Sequence, residues 1–161
     1  MKNQAFNSIL LDISTHLSQT KNSVEEGIQW VCETLKNNLT AYQWVGFYFA
    51  EPITKTLHLK AYAGAPTDHT VIPFGKGICG QVALSDAPFV VPDVTLQDNY
   101  IACSVDVRSE IVVPLFLEEK NIGQIDIDSH QPDPFDEEDT QFLEAICKLI
   151  ADTYGNALLE I

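Results

Sequence analysis

The 161-residue chain carries 23 acidic against 9 basic side chains, which gives a formal net charge of −14. This balance excludes nucleic acid and an anionic membrane surface as main partners, because both attract basic patches. Apolar residues make up 45% of the chain, enough for a sizeable core, and the length predicts a single domain over residues 1–161. No apolar run in the sequence is long enough to predict a membrane span.

The cysteines and the amino terminus bear on the cellular compartment. The first residues show no long apolar stretch before a small-residue cleavage site, so the sequence predicts no secretory signal. The four cysteines form no CxxC pair and show no Cys-His spacing typical of a zinc site. We therefore expect a cytoplasmic protein without a metal site or cofactor, in which any disulfide is transient.

Helical patterns occur at both ends of the chain. Residues 4–19 place apolar side chains every three or four positions, which predicts an amphipathic helix. Ser23 opens a capping-box pattern for a second helix, in which Cys32 is expected to be an inert core residue. Asp136 is expected to cap a long last helix whose apolar side includes Cys147. The first and last helices could pack together or against a second subunit, which leaves a homodimer open.

Residues 41–50 alternate in the manner of a strand. The side chains expected on one face are Tyr42, Trp44, Gly46 and Tyr48, and the opposite face, with Val45, Phe47 and Phe49, is expected to be core. The gap at Gly46 could admit a small ligand against Trp44 and Tyr48. Alternatively, another layer covers the strand and Gly46 permits its close approach.

Further strands predict a sheet. Residues 57–63 are the expected hairpin partner of the first strand, residues 88–91 form a short strand, and residues 109–117 and 122–129 alternate. The last of these alternates most sharply, with Ile125 and Ile127 facing inward and Gln124, Asp126 and Asp128 facing outward. A turn at 118–121 joins the last two strands into a hairpin. This order of elements predicts an α+β fold, with a mostly antiparallel sheet and helices packed on one face.

Two cysteines, Cys79 and Cys103, lie in segments outside the predicted strands and long helices. Gly75-Lys76-Gly77 lacks the P-loop pattern and is interpreted as a turn. A short helix is predicted from Gly80, just beyond Cys79, and its dipole would favour the Cys79 thiolate. Cys103 lies within residues 95–106, which show no clean period and predict a loop over the sheet.

Acidic side chains could give the predicted sheet face a chemical role. If Glu110, Asp126 and Asp128 share a face with Trp44 and Tyr48, carboxylates lie beside an aromatic wall. Neighbouring carboxylates disfavour each other's ionisation, so one could stay protonated as a proton donor while the others bind an ammonium group. Such a pocket suits a small zwitterion with a partly apolar side chain. The alternative is a solvated sheet face without a site.

Several motifs together resemble one family. The matching stretches are Trp44-Val45-Gly46-Phe47-Tyr48, residues 72–80, Ile101-Ala102-Cys103, residues 109–114, Asp126-Ile127-Asp128-Ser129 and residues 135–139. In these the chain resembles the free methionine-(R)-sulfoxide reductases, which are stand-alone GAF domains. The resemblance implies a GAF-like six-stranded antiparallel sheet, with the N- and C-terminal helices packed on one face and the site on the other.

The same resemblance implies roles for individual residues. Cys103 matches the catalytic cysteine, which attacks the sulfoxide sulfur and becomes a sulfenic acid. Trp44 and Tyr48 match the pocket aromatics that receive the methyl group. The carboxylates that match those holding the ammonium group and assisting at the oxygen are Glu110, Asp126 and Asp128. The implied partners are free methionine-(R)-sulfoxide and a thioredoxin-like or other thiol reductant.

The chain departs from this family at one position. Many members carry a resolving cysteine ten residues before the position of Cys79, and this sequence has His69 there. Cys79 matches a second family cysteine, so either Cys79 resolves the sulfenic acid, an external thiol does, or turnover is impaired. Two further alternatives remain, a non-catalytic GAF sensor that binds a small molecule and an inactive relative.

Overall fold

The structure is a computed structural model that describes residues 2–19, 21–98 and 106–161. The helices are α1 (Lys2–Gln19), α2 (Val24–Asn38), α3 (Gly77–Ser85) and α4 (Glu137–Tyr154). The strands are β1 (Trp44–Glu51), β2 (Thr56–Ala63), β3 (Val71–Pro73), β4 (Phe89–Val91), β5 (Ser109–Leu117) and β6 (Lys120–Ser129). Short 3₁₀ helices cover Val94–Leu96 and Gly155–Glu160.

The six strands form one antiparallel sheet in the order β3-β2-β1-β6-β5-β4. The sheet confirms the predicted fold, including all the strands inferred from alternation. Strand β3 has only three residues, too few to show an alternating pattern. The β5–β6 hairpin turns at Glu118 and Glu119, whose φ angles of 51° and 68° are those of a tight two-residue turn.

Three helices, α1, α2 and α4, cover one face of the sheet and enclose the larger apolar core. The predicted caps are present: Ser23 accepts from the Glu26 amide, and Asp136 forms a reciprocal capping box with Asp139. Cys32 and Cys147 are buried in this core, as expected. Burial raises the pKa of both thiols, so they are poor nucleophiles. No helix in the described ranges combines the length and apolar character of a transmembrane span.

The two terminal helices pack against each other, which was one of the two predicted arrangements. The rings of Phe6 and Phe142 stack with their centroids 4.0 Å apart. Asp139, at the start of α4, forms an ion pair with Lys2 and accepts a hydrogen bond of 2.9 Å from the Tyr42 hydroxyl. The placement of Tyr42 on the face of Trp44 was therefore wrong, because Tyr42 precedes the strand and lies in the helix-side core.

The opposite face of the sheet is covered by α3 and neighbouring segments rather than by long helices. A second, smaller apolar cluster lies there and includes Trp44, Tyr48, Ile78, Val82 and Val112. The glycines around α3 allow this layer to approach closely. Gly75 and Gly77 have φ angles of 88° and 63°, which confirms that the segment is a turn leading into the helix.

Candidate functional site

Strand register brings the predicted site residues together. Across β1, β6 and β5, Trp44 lies opposite Asp128, which lies opposite Glu110. In the next row on the same face, Gly46 lies opposite Asp126. The three carboxylates and the two aromatic residues therefore share one face, which was the condition for a site in the sequence analysis.

This face is buried, which corrects the expectation that it points outward. Glu110 is 5% exposed, and Asp126 and Asp128 are each 1% exposed. The alternative of a solvated sheet face is thus wrong for these side chains. A two-residue period tells which face a side chain occupies, but only the layer formed by α3 decides whether water reaches it.

Burial and mutual repulsion shift the acids toward their neutral forms. Desolvation, followed by the charges of Asp126 and Asp128, raises the pKa of Glu110 well above its ordinary value. Desolvation also raises the pKa of Asp126, while hydrogen bonds from Glu110 and Cys79 oppose that rise. The arrangement favours a protonated Glu110 that donates to an ionised Asp126, as predicted for neighbouring carboxylates.

The predicted effect of the helix dipole on Cys79 is wrong. Helix α3 begins at Gly77, so Cys79 lies within its first turn, with Sγ 3.9 Å from Glu110 Oε1. Burial, and then the charges of Asp126 and Glu110, raise the pKa of Cys79 well above its ordinary value. A helix dipole contributes about 0.3–1 kcal/mol. Burial can move a pKa by up to about 3–5 units at roughly 1.4 kcal/mol each, so burial decides the outcome.

The aromatic wall is present, but the gap predicted at Gly46 is filled. A Cβ atom on Gly46 would overlap the ring of Trp44, so glycine is required for this ring to lie flat over its own strand. Trp44 and Tyr48 have their ring centroids 6.5 Å apart, and Trp44 also stacks on Tyr62 at 5.7 Å. Of the two interpretations of Gly46, the structure therefore supports close packing rather than a gap for a ligand.

Both aromatic residues also hold the segment over the site. Trp44 Nε1 donates to the Ala65 carbonyl at 3.0 Å, and the Tyr48 hydroxyl donates to the His69 carbonyl at 2.8 Å. The turn into this segment requires Gly64, whose φ is 130°. These backbone contacts were missed in the sequence, where residues 64–68 gave only a loop signal.

A small, partly open space lies between the covering segment and the acids. It is lined by Tyr48, His69, Ile72, Lys76, Gly77, Ile78, Cys79, Glu110 and Asp126. Its volume of about 10 Å³ is room for one water molecule. A ligand of amino-acid size would require this space to open. Larger clefts, such as one of about 300 Å³ beside Lys60, Lys120 and Leu158, lie away from these acids.

Two further residues complete the account of the site. Cys103, predicted as the nucleophile, lies outside the described residues. Gln124 was placed on the acid face but given no role. It is fully buried, and neither atom of its amide has a hydrogen-bond partner in the described part of the chain. The sequence could have indicated Gln124 as a site residue, because it belongs to the same alternating stretch as Asp126 and Asp128.

Comparisons with known proteins agree with this architecture. The profile of the GAF domain family matches residues 21–153. A free methionine-R-sulfoxide reductase of Saccharomyces cerevisiae is 36% identical over 76% of this chain and 74% of its own length. The X-ray structure of the Neisseria meningitidis free methionine-R-sulfoxide reductase with its substrate superposes with a TM-score of 0.88, at 31% identity, over 97% of this chain and 92% of that one.

A third comparison extends this agreement. The Staphylococcus aureus protein fRMsr, in complex with substrate, superposes with a TM-score of 0.82 at 34% identity, over 92% of this chain and 94% of that one. A curled antiparallel sheet with helices on one face and a buried polar pocket on the other defines a GAF domain. The chain belongs to the GAF domain family, in the branch of the free methionine-R-sulfoxide reductases.

Proposed function

We propose that this protein reduces free methionine-(R)-sulfoxide to methionine, with Cys103 as the nucleophile. The observation that carries the proposal is the buried set of Glu110, Asp126 and Asp128 beside Trp44 and Tyr48. The names of the relatives, two of them with bound substrate, support the substrate class. The residues that match the family's motifs support the assignment of roles.

The acids give the site its requirement for a cation. Glu110 and Asp126 form no ion pair with any described residue, and Asp126 Oδ1 has no hydrogen-bond partner among them. Buried negative charge without a counter-charge costs several kcal/mol, so a ligand's ammonium group would be bound strongly here. The substrate's methyl group would then lie against Trp44 and Tyr48.

In the chemical step, the Cys103 thiolate attacks the sulfoxide sulfur and the oxygen moves to the cysteine. The S–O bond of the substrate breaks, its sulfur gains two electrons, and Cys103 is oxidised to a sulfenic acid. The oxygen needs a proton as that bond breaks, and we assign protonated Glu110 to supply it. A positioned acid of this kind contributes roughly 10²–10⁴-fold to the rate.

Glu110 can then take part in the second half of the cycle. Once it has given up its proton, it is a carboxylate 3.9 Å from the Cys79 thiol in the present geometry. It can accept the Cys79 proton as Cys79 attacks the sulfenic acid and pass that proton to the departing hydroxyl, so that water leaves and a Cys79–Cys103 disulfide forms. This route uses a local base and therefore does not need a Cys79 of low pKa. An external thiol reductant, such as a thioredoxin-like protein, would restore both thiols.

The substrate assignment is tested by comparing free and blocked substrates. Reduction would be followed as NADPH oxidation coupled through thioredoxin reductase and thioredoxin. We expect turnover of free methionine-(R)-sulfoxide and little activity on the S epimer, on N-acetylated substrate or on peptide-bound sulfoxide, because the last two lack the ammonium group. Comparable rates on the N-acetylated substrate would refute the ammonium subsite, and ligand binding without any turnover would favour a sensor.

The resolving step has its own test. After one turnover without reductant, we expect mass spectrometry of the digested protein to find Cys79 joined to Cys103. A free Cys79, with Cys103 as a sulfenic acid or as an adduct with an added thiol, would instead mean that an external reductant acts directly. Cys147→Ser is the matched control, since Cys147 lies across the sheet in the helix-side core.

A further inference from the structure

The site contains a thiol together with the acids, and the three groups converge. Cys79 Sγ, a carboxylate oxygen of Glu110 and one of Asp126 all lie within 4.8 Å of one another, and all three residues are buried. They come from α3, β5 and β6 respectively. No short spacing in the sequence links them, which is why the cysteine pattern predicted no metal site.

The separations are close to those of zinc ligands. Zinc bonds sulfur at about 2.3 Å and carboxylate oxygen at about 2.0–2.2 Å, which places two such ligands about 3.6 Å apart in a tetrahedron. The observed distance between Cys79 Sγ and Glu110 Oε1 is 3.9 Å. A few tenths of an ångström of side-chain movement would therefore bring this pair to the required geometry.

A separate observation points to a missing partner in the same space. Asp126 is 1% exposed, and its Oδ1 atom has no hydrogen-bond partner among the described residues. The Nδ1 atom of His69 is also buried without such a partner, and His69 lines the same cavity. That cavity of about 10 Å³ has the size of a single water molecule or ion.

We propose that the cavity binds one divalent zinc ion through Cys79, Glu110 and Asp126, with water as the fourth ligand, in competition with the substrate's ammonium group. On binding, the Cys79 thiol and the Glu110 carboxyl release their protons to solvent, and no electron transfer is involved. The competitive part rests on the proposed function, whereas the binding itself does not.

The ligand set selects among cations. A thiolate ligand favours zinc over magnesium or calcium, which prefer an all-oxygen set. Zinc held here would occupy the ammonium position and also bind the thiol proposed to resolve the sulfenic acid, so it would stop both halves of the cycle.

Binding is tested on metal-free, untagged protein titrated with zinc against a chromophoric chelator, without substrate. We expect one zinc per chain, with at least a tenfold loss of affinity in Cys79→Ser and in Asp126→Asn. Cys147→Ala is the matched control and should bind like the unmodified protein, because Cys147 lies in the helix-side core. A thermal melt of each variant in chelator shows that it is folded.

Cobalt provides a second measurement that a structural effect would not mimic. Cobalt in the site should give the charge-transfer absorption of a thiolate ligand, and this band should disappear in Cys79→Ser but persist in Cys147→Ala. Equal zinc affinity in these two variants, or a cobalt complex without the thiolate band, would overturn the proposal. Saturating magnesium should leave the zinc affinity unchanged, and displacement by magnesium would also count against it.

The effect on turnover separates the two proposals. Zinc should raise the apparent KM for methionine sulfoxide, and added chelator should restore the original value. A protein that reduces the substrate in chelator but binds no zinc overturns only the metal site. A protein that binds zinc as described but reduces no substrate in chelator overturns only the proposed function.

Discussion

The two faces of strand β6 are equally buried but opposite in chemistry. Ile125 and Ile127 point into the helix-side core, while Asp126 and Asp128 point under α3, and none of the four is more than 1% exposed. The two faces of the strand thus lie in two environments that exclude water, one apolar and one acidic. Burial alone therefore does not distinguish a core from a site, whereas polarity at equal burial does.

The two faces also differ in what they contribute to stability. Burying an isoleucine side chain stabilises the fold by about 1.5–3 kcal/mol. A buried carboxylate without a counter-charge acts in the opposite direction, by several kcal/mol. The helix side therefore holds the sheet together, and the acid face carries a cost that a bound cation would relieve. Four predictions test this division, in order of decreasing effect.

Cys103→Ser should abolish reduction of free methionine-(R)-sulfoxide, because an alcohol is a far poorer nucleophile than a thiolate at neutral pH. The coupled NADPH assay measures the effect. Cys32→Ser and Cys147→Ser are the matched controls in the helix-side core. They should keep the catalytic step intact and at most lower the melting temperature. Near-normal turnover by Cys103→Ser would remove the assigned nucleophile.

Glu110→Gln should lower kcat/KM by roughly 10²–10⁴-fold, because it keeps the size of the side chain but removes the proton donor. Asp128→Asn should also cause a large loss by weakening the ammonium subsite. Glu144→Gln, on the exposed side of α4, is the matched control and should leave kcat/KM unchanged. Losses below about threefold for both site variants would contradict the acid roles.

Gly46→Ala should displace the Trp44 ring, since the added Cβ would overlap it. Overpacking of this kind costs about 1–3 kcal/mol, and we expect the free energy of unfolding to fall by that amount. The KM for methionine sulfoxide should rise as well, because the displaced ring lines the proposed methyl position. Denaturant unfolding and steady-state kinetics measure the two effects, and an unchanged KM would show that the ring does not contact the substrate.

Ile127→Val and Asp126→Asn change neighbouring residues on opposite faces of β6. The first should cost about 0.5–1.5 kcal/mol of unfolding free energy with little effect on kcat/KM. The second should leave stability equal or higher, because it removes a buried charge, while activity falls. Thermal and denaturant unfolding compare the two directly. A loss of stability in Asp126→Asn as large as that in Ile127→Val would show that the acid face also stabilises the fold.

The sequence predicted more of the sheet than of its covering layer. Alternation in residues 109–117 and 122–129 was strong enough to predict both strands of the hairpin, while a common face for Glu110, Asp126 and Asp128 was only a hypothesis. It did not give β3, which is too short, nor the hydrogen bonds from Trp44 and Tyr48 to the backbone of residues 65–69. Those bonds join positions about twenty residues apart through backbone carbonyls, which carry no side-chain signal.

The case of Cys79 shows why local patterns mislead at a site. Its position beside a helix start predicted a lowered pKa, and the local helix is indeed present. The pKa is nevertheless raised, because the cysteine is buried against acids from two distant strands. Sequence proximity reports the helix dipole but not desolvation or the charges brought in by strand pairing.

The sequence by itself determined the strand faces, the helix caps and the family motifs, because these depend on periods and spacings within a few residues. The tertiary structure decided that the acid face is dry, that Gly46 makes room for Trp44, and that Cys79, Glu110 and Asp126 converge. Each of these depends on the distance between segments far apart in the chain. Such distances follow from packing α3 onto the sheet, and a periodicity within one segment does not contain them.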